Sequence, residues 1–429
     1  MINLFLTGKI GVGKSTLLMN IIEKIDLSIG GYITEREFEG HTKIFTIRSL
    51  YNYIEKYPIA KINNKTLNKY IFEENFRYSI TSTLDKSLKN RDLIVMDELG
   101  FMEENIEPFT SKVFEILDSN KFVLGVLKDH DCQFLNSIRA RDDVFVLEVT
   151  KGNRDFIYHD IINILANHHI PFKKANSFNW NKERVNWYNG ALEHPKNTYP
   201  KAFLNEIKKY TGSLTNKRVL DIGAGTGAFA IPLMKEGAYV TAVDSSLYMI
   251  QSLVHRTERL GLDNIDCILS PFHRVKTKNH YITISAFSGG STKTREGIKK
   301  MMDLTYGYAF IISSFENQED NFKRDILYEK LKRPNHNRRT HKGTLSETLN
   351  MLEQLGYNYD YKEIKYELSQ YFYNYDEALA FFKDRFSICK KDELVTLSEF
   401  LDKFLLLEED GYVFKNIKKS HIIAIESKF

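Results

Sequence analysis

Residues 4–18 read LFLTGKIGVGKSTLL, and residues 219–231 read VLDIGAGTGAFAI. Each is a glycine-rich turn set between a short apolar run and a helix-like stretch. No other feature restricts the fold of this chain so strongly. Glycine reaches backbone conformations closed to other residues and lets the main chain curl around a ligand. A turn of that kind at the end of a buried strand, with a helix after it, belongs to an α/β sheet. Two of them in one chain predict two such sheets, and the first question is whether they hold the same kind of ligand.

At 429 residues the chain is too long for one core, which suggests two to three domains. The first ~165 residues alternate strand and helix signals. INLFLTG (2–8), RDLIVMDELG (91–100), KFVLGVL (121–127) and DVFVLEV (143–149) read as buried strands. KSTLLMNIIEKI (14–25) and DFIYHDIINILANHH (155–169) read as helices. Pro171 and FKKANSFN (172–179) mark a linker, after which a second series begins. It predicts strands at 217–223, 239–244, 266–269, 281–287 and 308–315. DYKEIKYEL (360–368) alternates like a strand, 375–386 and 394–404 read as helices, and HIIAIESKF (421–429) reads as a last strand. The expected fold class is α/β in two domains: residues 1–167, a linker and helical lid at 168–215, and residues 216–429.

Composition adds bounds. Sixty basic and 56 acidic residues leave a net charge of +4, too near balance to signal nucleic acid or membrane. The three cysteines, Cys132, Cys267 and Cys389, are too few and too scattered for a disulfide framework. They form no metal-spaced set with His130, His168, His169 or His194. No apolar run reaches membrane-spanning length, and the chain starts on a strand-like run rather than a leader. A reducing cytoplasm and no membrane partner are the expectation.

GKIGVGKS fits G-x-x-x-x-G-K-[ST] at Gly8, Gly13, Lys14 and Ser15. The glycines, Gly11 among them, let main-chain N–H groups turn inward to phosphate oxygens, and the helix N-terminus through Thr16 adds positive partial charge. Lys14 suits β/γ-phosphate charge and Ser15 suits Mg²⁺. LIVMDE (93–98) is an apolar strand ending in two acids, and a carboxylate there is costly unless it meets a cation. Asp97 is placed to hold Mg²⁺ through water, and Glu98 to orient or deprotonate an attacking water.

Four stretches, FLTGKIGVGKSTLL, GGYITERE, VMDELGFME and RARDDVFVLEVTKGNRD, together resemble the small nucleoside-triphosphatase family first described in thermophiles, also called cancer-related nucleoside-triphosphatases. The resemblance covers residues 1–167. It implies a P-loop sheet with flanking helices and slow hydrolysis of ATP, GTP and other nucleotides with Mg²⁺. It also implies little discrimination between bases, and a kinase-like ancestry. Carried over residue by residue, it keeps the roles of Lys14, Ser15, Asp97 and Glu98. It places Arg139, Arg141 and Arg154 in the matching C-terminal motif, where one of them could meet developing phosphate charge.

The second turn, LDIGAGTGA, also satisfies G-x-G-x-x-A, so a dinucleotide site must be weighed. Asp221 stands just before the first glycine, where it would face a pyrophosphate with like charge. It suits a ligand with an ammonium group and no phosphate. Asp244 ends the next strand, followed by Ser245, and can accept both ribose hydroxyls. S-adenosylmethionine has the ammonium, the sulfonium and the ribose diol. The segment 219–250 resembles the seven-stranded, Rossmann-like S-adenosylmethionine-dependent methyltransferase superfamily, over residues 175–429. The resemblance implies Gly223, Gly225 and Gly227 as the cofactor loop and 421–429 as an antiparallel seventh strand. Two departures follow. ILSPFHR puts Phe272 where many members carry an acid near adenine. ISAFSGG (284–290) lacks the Asn-Pro-Pro-Tyr pattern of base and glutamine N-methylation.

No base for the methyl acceptor can be read, since in-line displacement depends chiefly on alignment. Two stretches read as lids: 178–200, with Trp180, Trp187, Tyr188 and Tyr199, and the helical insertion 376–407. The alternative for the first is an aromatic helix that staples domains together. KLKRPNHNRRTHKG (330–343), with His336 and His341, is the one concentrated basic stretch, and reads as an RNA or phosphate grip or as a solvated loop. The leading expectation is therefore a bifunctional enzyme that hydrolyses a nucleoside triphosphate and methylates a small-molecule acceptor. The alternatives are an RNA-modifying methyltransferase and a regulatory protein that senses both ligands.

Overall fold

The computed structural model describes residues 2–66, 68–174, 180, 182–288, 290–314, 322–334 and 345–427. The chain divides into two compact units. One is Met1–Asn179 with Val243–Glu258 and Ile265–Lys276; the other is Trp180–Ala242 with Arg259–Asn264 and Thr277–Phe429.

The first sheet is built from β1 (Asn3–Thr7), β2 (Ile29–Glu39), β3 (Thr42–Ser49), β4 (Lys56–Asn63), β5 (Lys69–Ile71), β6 (Leu93–Leu99), β7 (Phe122–Leu127) and β8 (Val144–Glu148). Its helices are α1 (Lys14–Ile22), α2 (Thr81–Asn90), α3 (Glu107–Leu117), α4 (Gln133–Arg139) and α5 (Arg154–Asn167). The strand order is β5-β4-β3-β2-β6-β7-β1-β8. From β2 to β8 the pairings are parallel. That explains why NLFLT, LIVMDEL and FVLGVL are apolar almost throughout: helices cover both faces. One face packs on a core of Phe5, Tyr32, Phe76, Met96, Phe109 and Phe134.

The sequence reading missed β2 and the antiparallel wing, β3 to β5. The wing strands interleave Lys, Arg48 and Pro58 with their apolar residues, and β4 buries only Ile59 and Ala60. A half-exposed meander lacks the solid apolar run that marks the central strands.

The second sheet has the order β11-β10-β9-β12-β13-β18-β14. Its strands are β9 (Arg218–Ile222), β10 (Tyr239–Asp244), β11 (Ile265–Leu269), β12 (His280–Ala286), β13 (Thr305–Ser314), β14 (Tyr359–Glu367) and β18 (Ile417–Glu426). Helices α6 (Lys182–Glu193), α7 (Lys201–Thr211), α8 (Ala230–Lys235), α9 (Leu247–Leu260), α10 (Arg295–Asp303), α11 (Arg324–Lys330) and α12 (Leu345–Gln354) accompany it. β18 runs antiparallel to both β13 and β14, as expected of the last strand.

The insertion before β18 differs from its sequence reading. It is not wholly helical. α13 (Tyr375–Phe386) and α14 (Lys391–Phe404) pack with a small sheet of β15 (Gln370–Phe372), β16 (Leu405–Glu408) and β17 (Gly411–Phe414), ordered β15-β17-β16. Their shared core is rich in phenylalanine: Phe322, Phe372, Phe381, Phe382, Phe386, Phe400 and Phe414. Trp187 joins that core, 5.1 Å from the Phe381 ring, so this part of the aromatic stretch is a staple for α6. His336 and His341 of the basic stretch lie outside the described residues. Arg333, which is described, donates to Glu393 and to the carbonyls of Phe386 and Ser387.

Candidate active sites

The first glycine turn leaves the end of β1 with Gly8, Gly11 and Gly13 all at positive φ, at 131°, 82° and 99°. A Cβ on Gly8 would stand 2.3 Å from the Val149 carbonyl oxygen, so only glycine fits there. α1 starts at Lys14 with no side-chain cap from Gly13. Its first N–H groups therefore receive no side-chain acceptor from the cap position. Lys14 is buried, and its ammonium donates to the Gly8 carbonyl at 2.7 Å and the Lys9 carbonyl at 2.9 Å. The chain's own loop thus folds around the cation at the place where phosphate oxygens would be received.

Ser15 and Asp97 meet across 82 residues of sequence: Ser15 Oγ donates to Asp97 Oδ1 at 3.0 Å. Asp97 is 2% exposed near the end of β6. Burial pushes its carboxyl up to about 7, against the Ser15 hydrogen bond, and the neighbouring Glu98 charge adds to the rise. Such a carboxyl is short of a cation. Among the described residues no three His, Cys, Asp or Glu side chains gather as a metal cage. A hydroxyl and one buried acid are the donors Mg²⁺ takes when phosphates and water complete its shell. On that test the residues present fit Mg²⁺.

Residues the sequence reading had not singled out support this pair. Thr34 on β2 donates its hydroxyl to the Asp97 carbonyl and accepts the Glu98 N–H at 3.1 Å, fixing the peptide between the two acids. Lys128, just after β7, stands 3.6 Å from Glu98. Glu103 is fully enclosed, accepts the Gly100 N–H, and is pushed up to about 7 by burial. The signal for Lys128 was the one used for Asp97, a charge at the end of a buried strand.

The three arginines of the C-terminal motif have partners of their own. Arg139 donates to the carbonyls of Lys128 and His130 and so braces the loop that carries Lys128. Arg141 pairs with Asp118 and Asp143. Arg154 is largely exposed on α5, with Asp155 at 3.6 Å. Thr16 lies exposed in the first turn of α1.

The second glycine turn leaves β9 with Gly223, Gly225 and Gly227 at φ 71°, 57° and 91°. Asp221 is 2% exposed within β9, paired in register with Ile284 of β12. The loop after β12 presses on the turn: a Cβ on Gly223 would lie 2.3 Å from Ser288 Cβ. Asp244 closes β10, with Oδ1 accepting the Ser246 N–H at 2.8 Å and its carbonyl accepting the Ser270 N–H at 2.9 Å. Ser245 follows it, and Phe272 sits buried in a 3-10 turn (Phe272–Arg274) after β11. Tyr199 is buried against Phe229, Phe287 and Tyr366 at 5.4 to 5.9 Å. Burial and then the Tyr188 charge raise its hydroxyl far above the usual tyrosine range.

Two family models match. The model described as NTPase covers residues 3–162, and the one described as methyltransferase domain covers residues 219–304. Nucleoside-triphosphatase THEP1 of Methanosarcina acetivorans is 36% identical over 38% of this chain and 96% of its own. That of Methanocaldococcus jannaschii is 31% identical over 38% of this chain and 97% of its own. The crystal structure of THEP1 from Aquifex aeolicus is 27% identical over 38% of this chain and 99% of its own, with a TM-score of 0.33. Through residues 3–162 the chain belongs to the THEP1 nucleoside-triphosphatase family, and the same chain carries a methyltransferase domain.

Proposed function

We propose that the first glycine turn, with Asp97 and Glu98, hydrolyses nucleoside triphosphates such as ATP and GTP with Mg²⁺. In the same proposal the second turn takes S-adenosylmethionine, whose methyl group goes to a small-molecule acceptor. The observation that carries the first half is the 3.0 Å meeting of Ser15 and the buried Asp97 beside the enclosed Lys14 ammonium. Mg²⁺ held by Ser15 and Asp97 would supply Lewis-acid charge to the bound phosphates. Lys14 exchanges its carbonyl partners for phosphate oxygens. Thr34 holds the Asp97–Glu98 peptide still. Glu98, kept in place by Lys128, accepts a hydrogen bond from the attacking water and aims its lone pair at the γ-phosphorus.

For the second half, Asp221 attracts the ammonium of the methyl donor and Asp244 accepts its ribose hydroxyls. Asp221 repels a pyrophosphate, which is why the two turns take different ligands. The acceptor's lone pair forms the new bond to the methyl carbon as the carbon–sulfur bond breaks, leaving a neutral thioether. The closed aromatic set around Tyr199 and Phe287, beside the loop that touches Gly223, supports a compact acceptor.

Two assays on the full chain test the proposal. Lys14→Ala should lower phosphate release from Mg·ATP by about 100-fold or more; activity within threefold of wild type contradicts it. Extract supplied with isotopically labelled S-adenosylmethionine should yield a labelled small molecule by mass spectrometry. Label found in RNA instead would overturn the acceptor class.

A further inference from the structure

β2 outruns the strand it pairs with. Its register with β6 ends at Tyr32 and Met96, while its pairing with β3 continues from Tyr32 to Glu39. The outer half of β2 therefore stands as a two-stranded hairpin beyond the carboxyl end of β6, the edge on which Asp97 and Glu98 sit. Side chains alternate along a strand, so Arg36 shares a face with Thr34, the residue that clamps the two acids. The Arg36 guanidinium lies 5.7 Å from the Phe45 ring, and the Lys43 ammonium lies 4.8 Å from the same ring. The Arg36 charge is felt at the Asp97 carboxyl, and Lys43 feels both Arg36 and Lys128. Lys128 is the cation 3.6 Å from Glu98. Among the described residues Arg36 is in no ion pair.

Cations gathered near one point repel unless an anion joins them. A guanidinium stacked on an aromatic ring and lacking a carboxylate partner is pre-organised for phosphate. Arg139 and Arg141, by contrast, are committed to carbonyls and carboxylates.

We propose that Arg36, carried on the β2–β3 hairpin, is the catalytic cation that meets the charge developing on the transferring phosphoryl group, with Lys43 and Lys128 flanking it. This rests on the phosphate-binding reading of the first glycine turn. In the step, water oxygen forms a bond to the γ-phosphorus while the bond to the β–γ bridging oxygen breaks. The electron pair leaves on the nucleoside diphosphate. The water proton passes by way of Glu98 to the released phosphate. Arg36 forms hydrogen bonds to the equatorial oxygens, most strongly when the phosphorus is between its two partners.

The test uses the full chain with Arg36→Ala, Arg36→Lys and, at the exposed hairpin tip, His41→Ala. Phosphate release from Mg·ATP is measured with calorimetric uptake of Mg·ADP, alone and with aluminium fluoride as the mimic of the phosphoryl group in transit. Arg36→Ala should cut kcat by about 100-fold or more, leave KM within about threefold, retain Mg·ADP and lose the fluoride complex. Arg36→Lys should recover part of kcat, and His41→Ala should match wild type. A kcat within threefold in Arg36→Ala, or equal loss of Mg·ADP with and without fluoride, overturns the assignment of Arg36. Failure of the wild-type chain to take up Mg·ADP overturns the reading of the glycine turn beneath it.

Discussion

Glu103 shows how one enclosed residue sets a pH dependence. It is 3% exposed, and burial lifts its carboxyl from 4.5 to about 7. The native state therefore binds this proton more tightly than the unfolded chain does. The sign follows: its contribution to stability is fully present below about 4.5 and is lost as pH climbs to about 7, at a cost of about 3 kcal/mol. Glu103→Gln keeps an acceptor for the Gly100 N–H and cannot ionise. It should match wild type in thermal denaturation at pH 5 and exceed it at pH 8. Equal melting temperatures at pH 8 would contradict this. At this scale the sequence was legible wherever chemistry demanded a residue type at a fixed spacing. Lys14, Ser15 and Asp97 were read that way and converge in space. Thr34 and Arg36 were not singled out, because what ties them to the acids is strand pairing, which no local spacing encodes, while Lys128 carried the strand-end signal and was passed over.

At the scale of elements, the two turns depend on contacts from distant loops. Gly223 has φ 71° and lacks room for a Cβ beside Ser288. Gly223→Ala must therefore move either the cofactor turn or the loop after β12. The expected result is at least a tenfold loss of S-adenosylmethionine affinity by calorimetry with phosphate release from ATP unchanged; retained affinity would show that the turn does not hold this ligand. The parallel strands β1, β6 and β7 were readable because solid apolar runs between charged ends have few other uses, whereas β2 was not read as a strand. The tail strand after β14 was readable by its own apolar run, IIAI. The short strands β15 to β17, three or four residues each, fall below the length at which alternation is informative. Their position is fixed instead by the phenylalanine core they share with α13 and α14.

At the scale of the whole chain, one polypeptide carries two glycine turns of opposite electrostatic sense. One surrounds a buried lysine and an uncapped helix start; the other follows a buried aspartate. Motif spacing alone carries the expected contrast, since an acid just ahead of the glycines disfavours a phosphate ligand. The sequence left the methyl acceptor open; the aromatic set to which our proposal assigns it is assembled from residues 199, 229, 287 and 366, far apart along the chain. The most direct test of the contrast is calorimetric titration of the full chain, its Lys14→Ala variant and its Asp221→Ala variant with a non-hydrolysable Mg·triphosphate and with S-adenosylmethionine. The account predicts that Lys14→Ala loses only the triphosphate and Asp221→Ala loses only S-adenosylmethionine, each by tenfold or more. A wild-type chain that takes up neither ligand, or a triphosphate affinity that survives in Lys14→Ala, would contradict it.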